Sequence, residues 1–123
     1  MLTEGLSHTS SLVVTQDKTA LSAGSGDMEV LATPMMMALM ENAAMLAVAD
    51  ELPEGSTTVG GHIESSHIKP SKLGAEVSAT ATLTKVEGKK LTFHIVARMG
   101  DSIIGEGTHL RFVVNREKFM ASL

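Results

Sequence analysis

Glu41 is a lone carboxylate inside a long apolar stretch, Val30–Asp50, which reads VLATPMMMALMENAAMLAVAD. A charge in such a stretch costs free energy unless it is paired or used in chemistry. Its sequence neighbours Leu39, Met40, Ala43, Ala44 and Met45 offer no charge partner. Burial would raise its pKa and suit it to general acid or base work. The plainer alternative is a carboxylate that caps a neighbouring group or lies at a wet subunit seam. Thr33 stands at the start of the same stretch. Its hydroxyl can cap a helix, or act as nucleophile or donor where the helix dipole favours negative charge. Eight helical residues rise roughly 12 Å, so Thr33 and Glu41 of one helix cannot touch. If both serve one site, either the substrate spans them or the site is assembled across a two-fold axis.

The histidines are His8, His62, His67, His94 and His109. Most read as surface residues. His94 lies in the polar register of its strand, and His67 stands just before a turn at Pro70, beside Ser65 and Ser66. No cysteine, H-x-x-x-H or H-E-x-x-H pattern is present, so neither a metal nor a thiol nucleophile is expected. There is no G-x-S-x-G elbow and no phosphate loop. The Met35–Met37 run reads as core filling rather than a binding surface.

These residues need elements to hold them. Thr33 as N-cap and Pro34 at the first helical position predict a helix that runs to Ala49 and stops at Leu52-Pro53-Glu54-Gly55. Ser7–Val14 reads as a first strand. The stretch Thr15–Glu29, with Asp17, Gly24, Gly26 and Asp27, is a long loop of the kind that forms lids and binding loops. Thr57–Ile68 reads as a strand containing Gly60-Gly61, where a bulge or close approach is expected. In Ala75–Val86, apolar Ala75, Val77, Ala79, Ala81 and Leu83 alternate with polar residues, which marks a half-buried strand. A hairpin at Glu87–Lys90 leads to Leu91–Met99, and Gly100-Asp101 leads to Ser102–Val114, interrupted by Gly105 and Gly107. The tail from Asn115 reads as a helical turn. The order predicts an α+β fold, an antiparallel sheet with one apolar helix, as a single domain over residues 1–123. A helix apolar nearly all round must be enclosed, and any side the sheet leaves open calls for a second subunit.

The chain has 123 residues with 43% hydrophobic and 20% charged content, which fits one globular domain. A net charge of -4, scattered Lys and Arg and only three Phe argue against a nucleic-acid groove. The N-terminus shows no signal-peptide pattern, and Glu41 and Asn42 break the longest apolar run below membrane-spanning length. A cytoplasmic protein without membrane association is expected.

Four stretches carry a resemblance to a known family: ATPMMMALMENA (Ala32–Ala43), VGGHIESSHIKPSKLGAEVSATATL (Val59–Leu83), VEGKKLTFHIVA (Val86–Ala97) and IGEGTHLRFVVNREKF (Ile104–Phe119). In them the chain resembles hotdog-fold thioesterases, specifically the fluoroacetyl-CoA thioesterase-like group. The V-E-G-[KR]-[KR]-L hairpin, the I-G-x-G-T motif and the late E-K-F are its more specific parts. The resemblance implies a sheet wrapped around one central helix, hydrolysis of an acyl-CoA thioester without a cofactor, and a homodimer, with further association of two dimers left open. It places the family's catalytic threonine, glutamate and histidine on Thr33, Glu41 and His67. It also places an oxyanion-binding glycine on Gly60 and an acyl- or CoA-positioning arginine on Arg111. One departure stands out. The family's Phe-rich sequence before the A-T motif is replaced by Ser22–Glu29, rich in Gly, Ser and acid. The thioesterase chemistry therefore carries over and the fluoroacetyl substrate does not, so a short- or medium-chain acyl group is expected. A hotdog hydratase or dehydratase, or a non-catalytic acyl-CoA-binding module, would use the same fold. CoA release separates the thioesterase from both.

Overall fold

The computed structural model describes residues 1–123. Five strands form one antiparallel sheet in the order β1-β3-β4-β5-β2: β1 is Ser7–Val13, β2 Ser56–Ser65, β3 Glu76–Glu87, β4 Lys90–Met99 and β5 Ser102–Asn115. A short helix α1 (Ala20–Ala23), the long helix α2 (Thr33–Ala49) and a C-terminal helix α3 (Arg116–Ala121) complete the chain. The sheet curls around α2, which is the hotdog arrangement.

The alternation in β3 and β4 does what period-two patterning dictates. Val77, Ala79, Ala81 and Leu83 of β3, with Leu91, Phe93, Ile95 and Ala97 of β4, are buried against α2. From the helix side Met36, Leu39, Met40, Ala43, Ala44, Ala47 and Val48 fill the same core. They recur at helical spacing and form one stripe. Each large side chain buried there contributes roughly 1.5–3 kcal/mol. The opposite stripe of α2 is not covered by this chain: Pro34, Ala38, Asn42 and Leu46 are exposed, and Met37, Glu41 and Met45 are half-buried. One copy thus encloses one face of an almost wholly apolar helix. The outer edge of β2 also carries no neighbouring strand.

The stretch predicted as a long loop, Thr15–Glu29, is more ordered than expected. It contains a 3-10 turn, Gln16–Lys18, and α1. Ala20 N–H donates to the Val30 carbonyl (2.8 Å), Ala32 N–H to that of Lys18 (2.9 Å) and Leu31 N–H to that of Ser71 (2.8 Å). These bonds pin the entry to α2 and so fix where Thr33 stands. No helix is long and apolar enough to cross a membrane.

Candidate active site

Thr33 does not cap α2. Ala32 is the N-cap residue, with its carbonyl accepting from the N–H groups of Met35 and Met36 (3.0 Å each), and Thr33 is the first residue of the helix. Its hydroxyl is therefore free of the helix backbone. It lies 2.7 Å from Nδ1 of His67.

His67 follows the end of β2, and pairing with β5 continues beyond Ser65 to place it. Ser66 N–H donates to the Glu106 carbonyl (3.0 Å) and Ile68 N–H to the Ile104 carbonyl (2.7 Å). The approach is close because β5 carries glycine there. A Cβ on Gly107 would lie 2.0 Å from the Glu64 carbonyl oxygen, and one on Gly105 2.5 Å from that of Ser66. The glycines that interrupt the β5 pattern thus bring the segment before His67 onto the sheet. Burial pushes the His67 imidazole below its ordinary pKa, and Nε2 is buried with no hydrogen-bond partner. Beside the Thr33–His67 pair opens a cleft of about 280 Å³, whose other walls include Ala20, Ser25, Val30 and Ile68.

Glu41 lies two turns along α2, and its surroundings differ from the expectation. Its side chain is 43% exposed rather than buried, and it does have a charged neighbour as well as an imidazole close by. Oε2 is 3.9 Å from Arg111 Nη1 and 4.0 Å from His109 Nε2. Local sequence could not reveal them, because both come from β5 across the sheet. Gly60 makes room: a Cβ there would lie 2.9 Å from Glu41 Oε2 and 3.2 Å from His109 Cε1. The β2–β5 register slips between Gly60 and His62, the bulge that the paired glycines suggested. Gly60 and Gly61 are exposed at the sheet edge, so Glu41 is approached from that side.

Arg111 is buried. Nε donates to Thr58 Oγ1 (2.7 Å) and Nη2 to the Thr58 carbonyl (2.9 Å). Burial lowers its pKa and the Glu41 carboxylate opposes that shift. Its Nε and Nη2 donors are held by Thr58, and Nη1 faces Glu41 at 3.9 Å. His109, which the sequence did not single out among the histidines, is buried in this cluster. His94 matches its reading: it is exposed on the outer face, 2.7 Å from Glu106.

The five expected site residues therefore fall into two groups. Thr33 pairs with His67 at the helix N-terminus, while Gly60, Arg111 and the missed His109 surround Glu41 at mid-helix. A hydroxyl–imidazole pair suits nucleophile activation or proton transfer, and a carboxylate beside a guanidinium stays available as a nucleophile or base.

The sequence matches the family described as fluoroacetyl-CoA-specific thioesterase over residues 14–117. It is 40% identical over 95 residues to the fluoroacetyl-CoA thioesterase of Streptantibioticus cattleyicolor, covering 77% of this chain and 68% of that protein. A variant of the fluoroacetyl-CoA thioesterase FlK solved with acetyl-CoA superposes with a TM-score of 0.92 at 34% identity, covering 98% of this chain and 96% of that one. A hypothetical thioesterase-superfamily protein of Thermus thermophilus superposes with a TM-score of 0.90 at 26% identity, covering 98% of this chain and 89% of that one.

Proposed function

The chain belongs to the fluoroacetyl-CoA-specific thioesterase family and is an acyl-CoA thioester hydrolase, and from that premise we propose that Thr33, Glu41 and His67 carry its chemistry within a homodimer. The observation that carries the proposal is the 2.7 Å contact of Thr33 Oγ1 with His67 Nδ1 at the cleft. That is hydrogen-bonding distance, at which the hydroxyl orients the imidazole for proton transfer.

In this reading the thioester carbonyl lies near the N-terminus of α2. The Glu41 carboxylate either adds to it, giving an anhydride that water then opens, or holds the water that attacks. His67, neutral near pH 7 because burial lowers its pKa, takes the proton that the water releases. In the water route that proton passes to the CoA sulfur as the C–S bond breaks; in the anhydride route the CoA leaves first as thiolate, and the proton from the later water neutralises it. One water is consumed and one C–S bond is replaced by C–O. The helix N-terminus and the Gly60 backbone N–H are the proposed donors to the tetrahedral oxyanion, each worth on the order of 3 kcal/mol. Arg111 is assigned to Glu41 rather than to the substrate, because its side chain is only 8% exposed. The cleft walls at Ala20, Ser25, Val30 and Ile68 are small or aliphatic and suit a short or medium acyl chain.

A second copy supplies what one chain lacks. Thr33 and Glu41 are separated by roughly 12 Å of helix, while the open stripe of α2 and the free edge of β2 expose apolar surface and strand hydrogen-bonding groups. Pairing two copies there would cover both and bring one chain's Glu41 toward the other's Thr33–His67 pair. A cytoplasmic location completes the proposal. The test is thiol release from a panel of acyl-CoA esters by the wild type, Glu41→Ala and His67→Ala. Both variants lose most of the hydrolysis while remaining folded and dimeric. Full activity in both would sink the assignment.

A further inference from the structure

We infer that His109 is a positioning residue for hydrolysis, a neutral imidazole that aims the Arg111 guanidinium at Glu41. The inference rests on the proposed role of Glu41. His109 is 1% exposed on the inner face of β5, and both ring nitrogens have partners. Nδ1 lies 2.6 Å from the His62 carbonyl oxygen, which can only accept, so Nδ1 carries the proton. Nε2 lies 3.1 Å from Arg111 Nη1, which can only donate, so Nε2 is bare. A single form of the ring satisfies both contacts: the neutral tautomer with hydrogen on Nδ1. An imidazolium would set N–H against N–H.

The guanidinium is thereby held at three points, Thr58 Oγ1, the Thr58 carbonyl and His109 Nε2. All three acceptors are neutral, so none cancels its charge. That leaves Nη1 3.9 Å from Glu41 Oε2, beyond direct hydrogen bonding but well within Coulomb range. The carboxylate stays near a fixed positive charge without giving up its lone pairs, which is what a nucleophile or base needs. The charged and titratable groups facing His109 are Glu41 from α2, Arg111 from its own strand and His62 from β2. From β4 it meets the Phe93 ring, 6.4 Å away between centroids.

Three substitutions separate the possible roles. His109→Gln sets an amide oxygen about where Nε2 stands. His109→Asn keeps a donor for the His62 carbonyl and removes the acceptor for Arg111, and His109→Leu removes both. The expected result is a fall in kcat of roughly tenfold to a hundredfold in the Asn and Leu variants, the worth of one charge-assisted hydrogen bond. KM stays within about twofold, and His109→Gln recovers most of the rate. In a Glu41→Gln background, His109→Leu causes no further loss, because it acts through Glu41. Nitrogen NMR of the full chain shows the Nδ1–H tautomer at neutral pH. A loss in His109→Gln equal to that in His109→Leu would make the ring a proton carrier and overturn the inference. So would unchanged kcat with a lowered Tm, or a cationic ring at neutral pH. Full activity in Glu41→Gln alone would instead remove the reading on which the inference rests, and the NMR result would still stand by itself.

Discussion

Two stretches of α2 carry polar chemistry, and they are built in opposite ways. At the N-terminus, Thr33 and His67 meet through one neutral contact, beside an open cleft, and His67 Nε2 has no partner. At mid-helix, Glu41 faces a cluster with almost nothing left unsatisfied: Arg111 is anchored to Thr58 and His109, and His109 to His62. The first group is held by loop and strand ends. The second is held by the sheet itself. The difference suits the two tasks proposed for them. A group that must meet substrate keeps unused hydrogen-bonding capacity, while a group that must hold a charge ready is best fixed by partners that do not move.

The contrast breaks most severely if Glu41 is changed. Glu41→Gln removes the charge that faces Arg111, and on the proposed reading kcat falls on the order of 10³-fold with the fold intact. A single turnover in heavy-oxygen water then separates the two routes in the wild type, since label enters the Glu41 carboxylate only by covalent attack. At the open end, His67→Ala lowers kcat on the order of 10²-fold. The loss is smaller because Thr33 and the helix end remain.

Gly60→Ala sharpens the comparison. Its Cβ meets Glu41 Oε2 at 2.9 Å, the movable end of a side chain, so kcat drops roughly tenfold while Tm changes little. Gly107→Ala is the control, because its Cβ meets a backbone carbonyl at 2.0 Å, and unfolding curves show a loss of about 1–3 kcal/mol.

The smallest effect is that of pH on stability. Folding lowers the pKa of both His67 and His109 below 6.5, chiefly through burial. Below 6.5 the unfolded chain binds protons that the native chain excludes, so stability is full above that value and is lost as pH falls through the folded values. Tm should fall by a few degrees on mild acidification, on the order of what one such group supplies. His109→Gln should flatten part of that fall.

Much of the fold was legible because burial writes a period into sequence. Ala75 to Leu83 and Leu91 to Met99 alternate, and the core face they announce is the buried one. The helix could be read from its uninterrupted apolar run after Pro34. Thr33, Glu41 and His67 were recognisable through the family resemblance, and their roles remain for the experiments above. The role of Thr33 within the helix was misread by one position, because capping depends on backbone angles that residue type only biases.

The cluster around Glu41 could not be read. Gly100-Asp101 sets the β4–β5 hairpin with Met99 opposite Ser102, and that register would carry Thr108 opposite Phe93. A slip of one residue between Ala97 and Arg98 puts His109 opposite Phe93 and Arg111 opposite Leu91 instead. Because side chains alternate faces, one residue of slip turns a whole strand over. In β5 the polar His109 and Arg111 point into the core, while the apolar Leu110 and Phe112 point out. By itself the sequence determined the five strands and the long helix, though not the short turns within Thr15–Glu29, since local propensity and periodicity act over a few residues. Only the tertiary structure decided which residues face Glu41, since that depends on a bulge whose position is set by packing between strands.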